Sequence, residues 1–324
     1  MGLLTRIYFN AVFGALGGLL GWMLFSLFGN QTASEGALVR QLLQDGALIG
    51  AGIGYLVVSG DAVRDRSWLR FARQAAVGAV LGAIGGAVGM FLAERVNFAL
   101  VGGIGAIRGS TVKFLLTVAT RGVGFLFLGM AVGVSEGIAA RSLGKLGYGT
   151  LGGTLGGFLG GCLFGLVYLV TLQRGGDAAF AGAAGLAIMG ACIGALSALV
   201  QGVFQPASVR VLRGWQEGRE YPLDRPATVL GRDEGADIAL FRDMRVEKRH
   251  AELVREGDGY LLRNRGAAPE WTRVNDVPVA SACELHDGDR IQLGNVVLRF
   301  QRRAARPRPG AVATAPVARQ VQPT

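Results

Sequence analysis

The 324-residue sequence predicts two folds in series: a membrane all-α bundle of about six transmembrane helices, then a small all-β sandwich. Three observations predict this. Six long apolar stretches fill residues 1–205. An internal glycine motif recurs three times within them. After "QPAS" (Gln205–Ser208) the hydrophobic period falls to two and turn residues recur every few positions. Composition agrees, with 53 glycines and 51% hydrophobic residues.

The apolar stretches are Ile7–Phe28, Gly46–Val63, Gln74–Ala93, Gly122–Ala140, Leu146–Leu172 and Ala178–Phe204. A bilayer span takes about 20 helical residues. The first, third, fifth and sixth meet that length readily. The second carries Asp61 near its end and the fourth carries Glu136, so each is shorter on uncharged residues alone. The first stretch is too long for a signal-peptide core and is read as a retained anchor.

"GALGGLLG" (Gly14–Gly21), "GAIGGAVG" (Gly82–Gly89) and "GTLGGFLG" (Gly153–Gly160) share the pattern G-x-x-G-G-x-x-G, at spacings of 68 and 71 residues. The even-numbered stretches carry small residues four apart: Gly46, Gly50 and Gly54; Gly129, Gly133 and Gly137; Gly190 and Gly194. Three repeated hairpins of about seventy residues follow. Glycines four apart flatten a helix face, so helix backbones can approach closely where no hydrophobic force drives them together. Packing is the favoured role. A channel or carrier is the alternative, because internal repeats also mark transporters. Its candidate polar groups, Asp61, Glu136 and Arg121, all fall near stretch ends, where snorkelling accounts for them. Residues 96–121 form an insertion too short to span, expected to lie in the interface or to dip in and return.

The net charge of +10 divides as +6 over residues 1–205, −1 over 206–300 and +5 over 301–324. The basic excess therefore sits on membrane loops and on the Pro/Ala/Arg-rich tail, 304–324, which is expected to be disordered. Seven basic residues (Arg6, Arg64, Arg66, Arg70, Arg73, Arg141, Lys145) fall on one side of the spans and six on the other. That bias places both termini in the cytoplasm of a bacterial inner membrane. The sandwich has no basic excess, which argues against nucleic acid as a partner. The cysteines, Cys162, Cys192 and Cys283, have no metal or disulfide spacing. No metal, cofactor or catalytic constellation is expected, so the chain reads as a binding protein rather than an enzyme.

Strands are expected at Val209–Leu212, Ala227–Leu230, Asp237–Leu240, His250–Val254, Tyr260–Arg263, Arg290–Leu293 and Val296–Gln301. "REGDGY" and "HDGDR" supply Asp-Gly turns between them. Along 206–303, an ordered series appears: Gly231-Arg232, Asp237-Ile238, His250-Ala251, Tyr260-Leu261-Leu262, Val274-Asn275, Leu285, Gly288-Asp289, Ile291 and Leu293-Gly294.

That series resembles a forkhead-associated (FHA) domain. The resemblance implies a β-sandwich whose loops bind phosphothreonine segments, commonly on targets of Ser/Thr kinases. It implies that Arg232 contacts the phosphate, a role guanidinium suits because it makes charge-assisted, often bidentate, bonds. Gly231, His250 and Asn275 match structural positions of the motif. The family's Ser-x-x-His falls on Glu247 to His250, so a carboxylate stands where the family offers a hydroxyl; it repels phosphate and donates no hydrogen bond. Lys248 and Arg249 lie between and can offer positive charge. In "GAAPEWTRVND" the family's Asn-Gly-Thr places fall on Glu270, Trp271 and Thr272. Pro269 and Trp271 should reshape that loop. Trp271 is either packing or an exposed anchor for a partner.

Together these readings give an integral membrane protein presenting a cytoplasmic docking domain. Its partner would be a protein, phosphothreonine-containing or recognised without phosphate. Glu247 is expected to pair with Arg232 as an internal stand-in for phosphate. Self-association through the sandwich is a third reading.

Overall fold

The computed structural model describes residues 3–29, 38–65, 68–105 and 110–302. The basic tail and Arg66-Ser67 lie outside them, and nothing is described of the Asp61 side chain. The chain divides into two compact units after Phe204.

The first unit is six helices: α1 (Leu3–Phe28), α2 (Leu38–Asp65), α3 (Trp68–Gly105), α4 (Ser110–Ala140), α5 (Leu143–Gln173) and α6 (Ala178–Phe204). All six are long and apolar enough to cross a membrane. Residues 96–121 are not a separate interfacial element. They extend α3 to Gly105 and begin α4 at Ser110. The run from Val96 contains no proline, so the helix already formed continues without a new nucleation cost.

Each odd helix packs on both of its even neighbours, and α1 closes the ring against α6. The repeated motif explains how. Its first and third glycines face one neighbour, and its second and fourth face the other. Gly14 and Gly18 meet α6 at Gly190 and Leu186, while Gly17 and Gly21 meet α2 at Ile53 and Ile49. Gly82 and Gly86 meet α2 at Gly50 and Gly46, while Gly85 and Gly89 meet α4 at Ala131 and Leu128. Gly153 and Gly157 meet α4 at Gly129 and Phe125, while Gly156 and Gly160 meet α6 at Ile193 and Met189. The glycine-on-glycine seams thus join different hairpins: α2 to α3, α4 to α5 and α6 to α1. At these seams a methyl group on either glycine would fall about 2 Å from a backbone carbonyl oxygen, far inside any van der Waals contact.

The even helices supply the side chains of the core. Ile49, Leu128 and Met189 form one layer and Ile53, Val132 and Ile193 the next, within one buried cluster. Spacings are 79 and 61 residues in both layers. By contrast, the buried residues of α1 and α5 are all glycines. Their large side chains, such as Leu16, Leu19, Leu151 and Leu155, point outward, where a bilayer would solvate them. Glu136 does not snorkel. It is buried, and the Gln201 amide donates to its carboxylate. Arg6 donates to the same amide's oxygen at 2.9 Å. Arg121 lies over the rings of Phe164 and Tyr168.

The second unit is a sandwich of two sheets. Its strands are β1 (Ala207–Arg213), β2 (Glu220–Pro222), β3 (Ala227–Gly231), β4 (Ile238–Ala239), β5 (Ala251–Glu256), β6 (Gly259–Asn264), β7 (Thr272–Val274), β8 (Val277–Pro278), β9 (Ala282–Leu285), β10 (Arg290–Leu293) and β11 (Val296–Arg302). One sheet runs β2-β1-β11-β10-β7-β8, the other β4-β3-β5-β6-β9. The seven expected strands are present. The four unexpected ones, β2, β7, β8 and β9, span two to four residues, at or below the shortest run in which alternation signals a strand by itself. Val209, Val211, Leu230, Leu253, Leu262, Ile291, Leu298 and Phe300 fill the space between the sheets, and every core residue belongs to this unit.

Register sets the two ends of the sandwich. Ala207 pairs with Arg302, so the chain enters and leaves at one end. The turns after β1 and β10 lie at the other end, with the loops after β3, β4 and β6.

Replacing Gly50 by alanine should destabilise the bundle by about 1–3 kcal/mol, because its Cβ would meet the Gly82 carbonyl. Gly60→Ala on the same helix should be near neutral, since its Cβ would lie 3.5 Å from the Phe13 ring. Thermal unfolding of the two variants in detergent checks the contrast.

Candidate functional site

The site is built on Gly231, at the end of β3. A side chain there would strike the Lys248 carbonyl oxygen at 2.0 Å. Its absence lets the loop after β4 lie directly on β3. Backbone bonds then stitch the two together: Arg232 N–H to Glu247 O at 3.0 Å, and His250 N–H to Leu230 O at 2.9 Å. Arg232 is thereby aimed from a fixed backbone.

His250 braces this loop from below. It is fully buried. The Glu247 N–H donates to its Nδ1 at 3.1 Å. Nδ1 is therefore an acceptor, and Nε2 carries the proton that it donates to Thr272 Oγ1, 2.9 Å away. Burial pushes the His250 pKa down; a backbone bond at Trp271 and the carboxylates of Glu247 and Asp243 pull the other way and lose. A neutral imidazole is what this geometry requires. Thr272 is fully buried, so it braces the loop from inside the fold rather than facing a partner.

The expected pair between Glu247 and Arg232 is not formed. The Arg232 Nη1 instead lies 3.1 Å from Met244 Sδ, and its Nε is buried without a hydrogen-bond partner. Glu247 is bound only through its backbone, and its carboxylate stands exposed. The reason lies in the backbone. The same amide and carbonyl contacts that fix the loop turn the Glu247 side chain outward. Lys248 and Arg249 are likewise exposed.

Two tryptophans flank the loop. The guanidinium of Arg242 lies 3.4 Å from the ring centre of Trp215, and that of Arg245 lies 4.7 Å from the ring centre of Trp271. Arg245 also donates to Asn295 at 3.0 Å, while Asp243 accepts from the Asn295 N–H at 2.6 Å. Pro269–Trp271 forms a short 3-10 turn. Trp271 is half-buried, packed under Arg245 on one side. Asn275 lies at the opposite end. It holds a left-handed turn (φ +50) and accepts from the Arg290 N–H at 2.9 Å. Trp215, Met244, Arg245 and Asn295 went unseen in the sequence, because nothing in their own spacing points to Arg232. Among the described residues no His, Cys, Asp or Glu cluster could hold a metal ion.

Residues 210–304 match the family described as the cytoplasmic domain of an inner membrane component of T3SS. The glycogen accumulation regulator GarA of Mycolicibacterium smegmatis is 40% identical over 90 residues, covering 28% of this chain and 55% of GarA. The oxoglutarate dehydrogenase inhibitor of Corynebacterium jeikeium is 37% identical over 102 residues, 31% of this chain and 69% of that protein. The solved FhaA FHA domain, complexed with the intracellular domain of Rv3910, is 30% identical and covers 29% of this chain and 99% of its own, with a TM-score of 0.27. Through its C-terminal unit, the chain belongs to the FHA family. The match spans just over half the length of GarA, and the family match begins at residue 210, after α6.

In the FHA unit, a histidine whose folded pKa is lowered binds fewer protons than in the unfolded chain. Its contribution is therefore complete above the unfolded value of about 6.5 and is lost as pH falls below it. Thermal midpoints measured from about pH 7 to about pH 5 should fall, and His250→Gln should flatten that slope.

Proposed function

We propose that the chain is a multi-pass membrane protein that presents its FHA domain in the cytoplasm as a docking module for a phosphothreonine-bearing protein. The observation that carries this is the state of Arg232. Its guanidinium is positioned by the backbone, its Nε is buried and unpartnered, and a thioether rather than a carboxylate lies on it. Sulfur is a weak acceptor, so a phosphate displaces it at little cost. A phosphate bonded to guanidinium gains about 1.5–3 kcal/mol per charge-assisted bond. Glu247 opposes this, because its carboxylate lies on the loop that borders Arg232. The reading is therefore of a weakened phosphate site, with Lys248 and Arg249 as additional positive charge. Membership of the FHA family supports docking, and the description of the matching family supports an inner-membrane location.

The domain performs no catalysis in this reading; it places a signalling or assembly partner at the membrane. The channel alternative is disfavoured by the filled centre of the bundle, where Ile53, Val132 and Ile193 are fully buried on one another's layer.

Titration of residues 206–303, whose core is drawn wholly from itself, with a phosphothreonine peptide library tests the assignment. Binding should require the phosphate, fall about 10–100-fold in Arg232→Ala and rise several-fold in Glu247→Ser. Equal binding of phosphorylated and unphosphorylated peptides would sink it.

A further inference from the structure

The outer face of the six-stranded sheet carries a row of arginines at some cost to its own stability. Arg210 on β1 is directly opposite Arg299 on β11, and Arg299 is directly opposite Arg290 on β10. Each is exposed and flanked by fully or almost fully buried neighbours: Val209 and Val211, Leu298 and Phe300, and Ile291. All three side chains therefore leave the same face. Among the described residues, none has an ion-pair or hydrogen-bond partner for its guanidinium. Glu220 on β2 continues the row beside Arg210, but its carboxylate accepts from Ser208 at 2.7 Å. Like charges placed directly opposite across strands are destabilising. Folding does not account for such a row, whereas an anionic surface outside the domain would.

Connectivity favours one such surface. Two residues, Gln205 and Pro206, separate α6 from β1. Arg210 follows the last residue of α6 by six positions, at most about 20 Å of extended chain. Arg302, paired with Ala207, leads through Arg303 into a tail that adds Arg306, Arg308 and Arg319. The phosphate-loop end of the sandwich is the opposite one. We propose that the Arg210–Arg299–Arg290 face is a second binding surface, for the anionic phospholipid headgroups of the bilayer that α6 enters. This goes beyond the docking role of the loops and does not rest on it. Docked in this way, the face is neutralised by lipid phosphate, and the recognition loops remain free for a partner.

The test is sedimentation of residues 206–303 with lipid vesicles, a segment that leaves out the basic tail. Binding is expected to phosphatidylglycerol-containing vesicles and not to pure phosphatidylcholine, and to weaken as salt rises. Each of Arg210→Gln, Arg290→Gln and Arg299→Gln should weaken it roughly fivefold, and the triple variant about 100-fold. The triple variant should melt no lower than the parent, since like charges are removed, and should titrate phosphothreonine peptides unchanged. Two results would each overturn the proposal. One is equal binding to both vesicle types or to neither. The other is vesicle binding that survives the triple substitution; if that variant also loses a polyglutamate or phosphothreonine peptide, the face is assigned to an acidic protein instead.

Discussion

Backbone can lie against backbone only where no Cβ intervenes, and both halves of this chain are organised by that constraint. In the bundle, paired glycines at Gly50 and Gly82, Gly129 and Gly153, and Gly14 and Gly190 leave neighbouring helices separated by little more than their own carbonyls. In the sandwich, the single glycine at 231 admits the Lys248 carbonyl and with it the whole loop that borders Arg232. Van der Waals contact is the force that remains between helices in lipid, and it decays within an ångström of separation. The same closeness in the FHA unit does different work. It turns a flexible loop into a backbone-bonded extension of β3.

From that strap the chemistry of the site follows in sequence. The loop's amides and carbonyls are consumed by Arg232, Leu230 and His250, so its side chains are forced outward or inward by position. Glu247 goes outward. His250 goes inward, where it is held neutral by burial and joined to Thr272. What remains at the surface is a cationic group with no carboxylate on it, covered by Met244 and bordered by a loop whose own arginines stack on Trp215 and Trp271. A docking module needs that combination: rigid support and an unsatisfied charge.

Much of this was legible in the residues. The apolar stretches, the repeated glycine motif and the ordered FHA-like series each depend on local pattern, and the six helices and the seven expected strands follow them. Less legible were elements too short to carry a period, such as β8, and the continuation of α3 to Gly105. The Glu247–Arg232 pair was expected because the two residues border one loop. It is absent because hydrogen bonding to the Glu247 backbone orients its side chain away, which charge and spacing cannot reveal. The Arg210–Arg299–Arg290 row lies further from local pattern still. Its members are separated by 80 residues or more on one side and by a hairpin on the other, and only strand register aligns them.

The sequence by itself determined the division into bundle and sandwich, the repeat, the position of Arg232 and the buried histidine, since these are set by composition, periodicity and motif order. The tertiary structure alone decided which glycine faces which helix, that the ring closes through α1 and α6, and that the even helices fill its centre. It also decided that Met244 rather than Glu247 covers Arg232. Each of these depends on the distance and direction between residues far apart in the chain. Those are fixed only when backbones meet and cross-strand register is chosen.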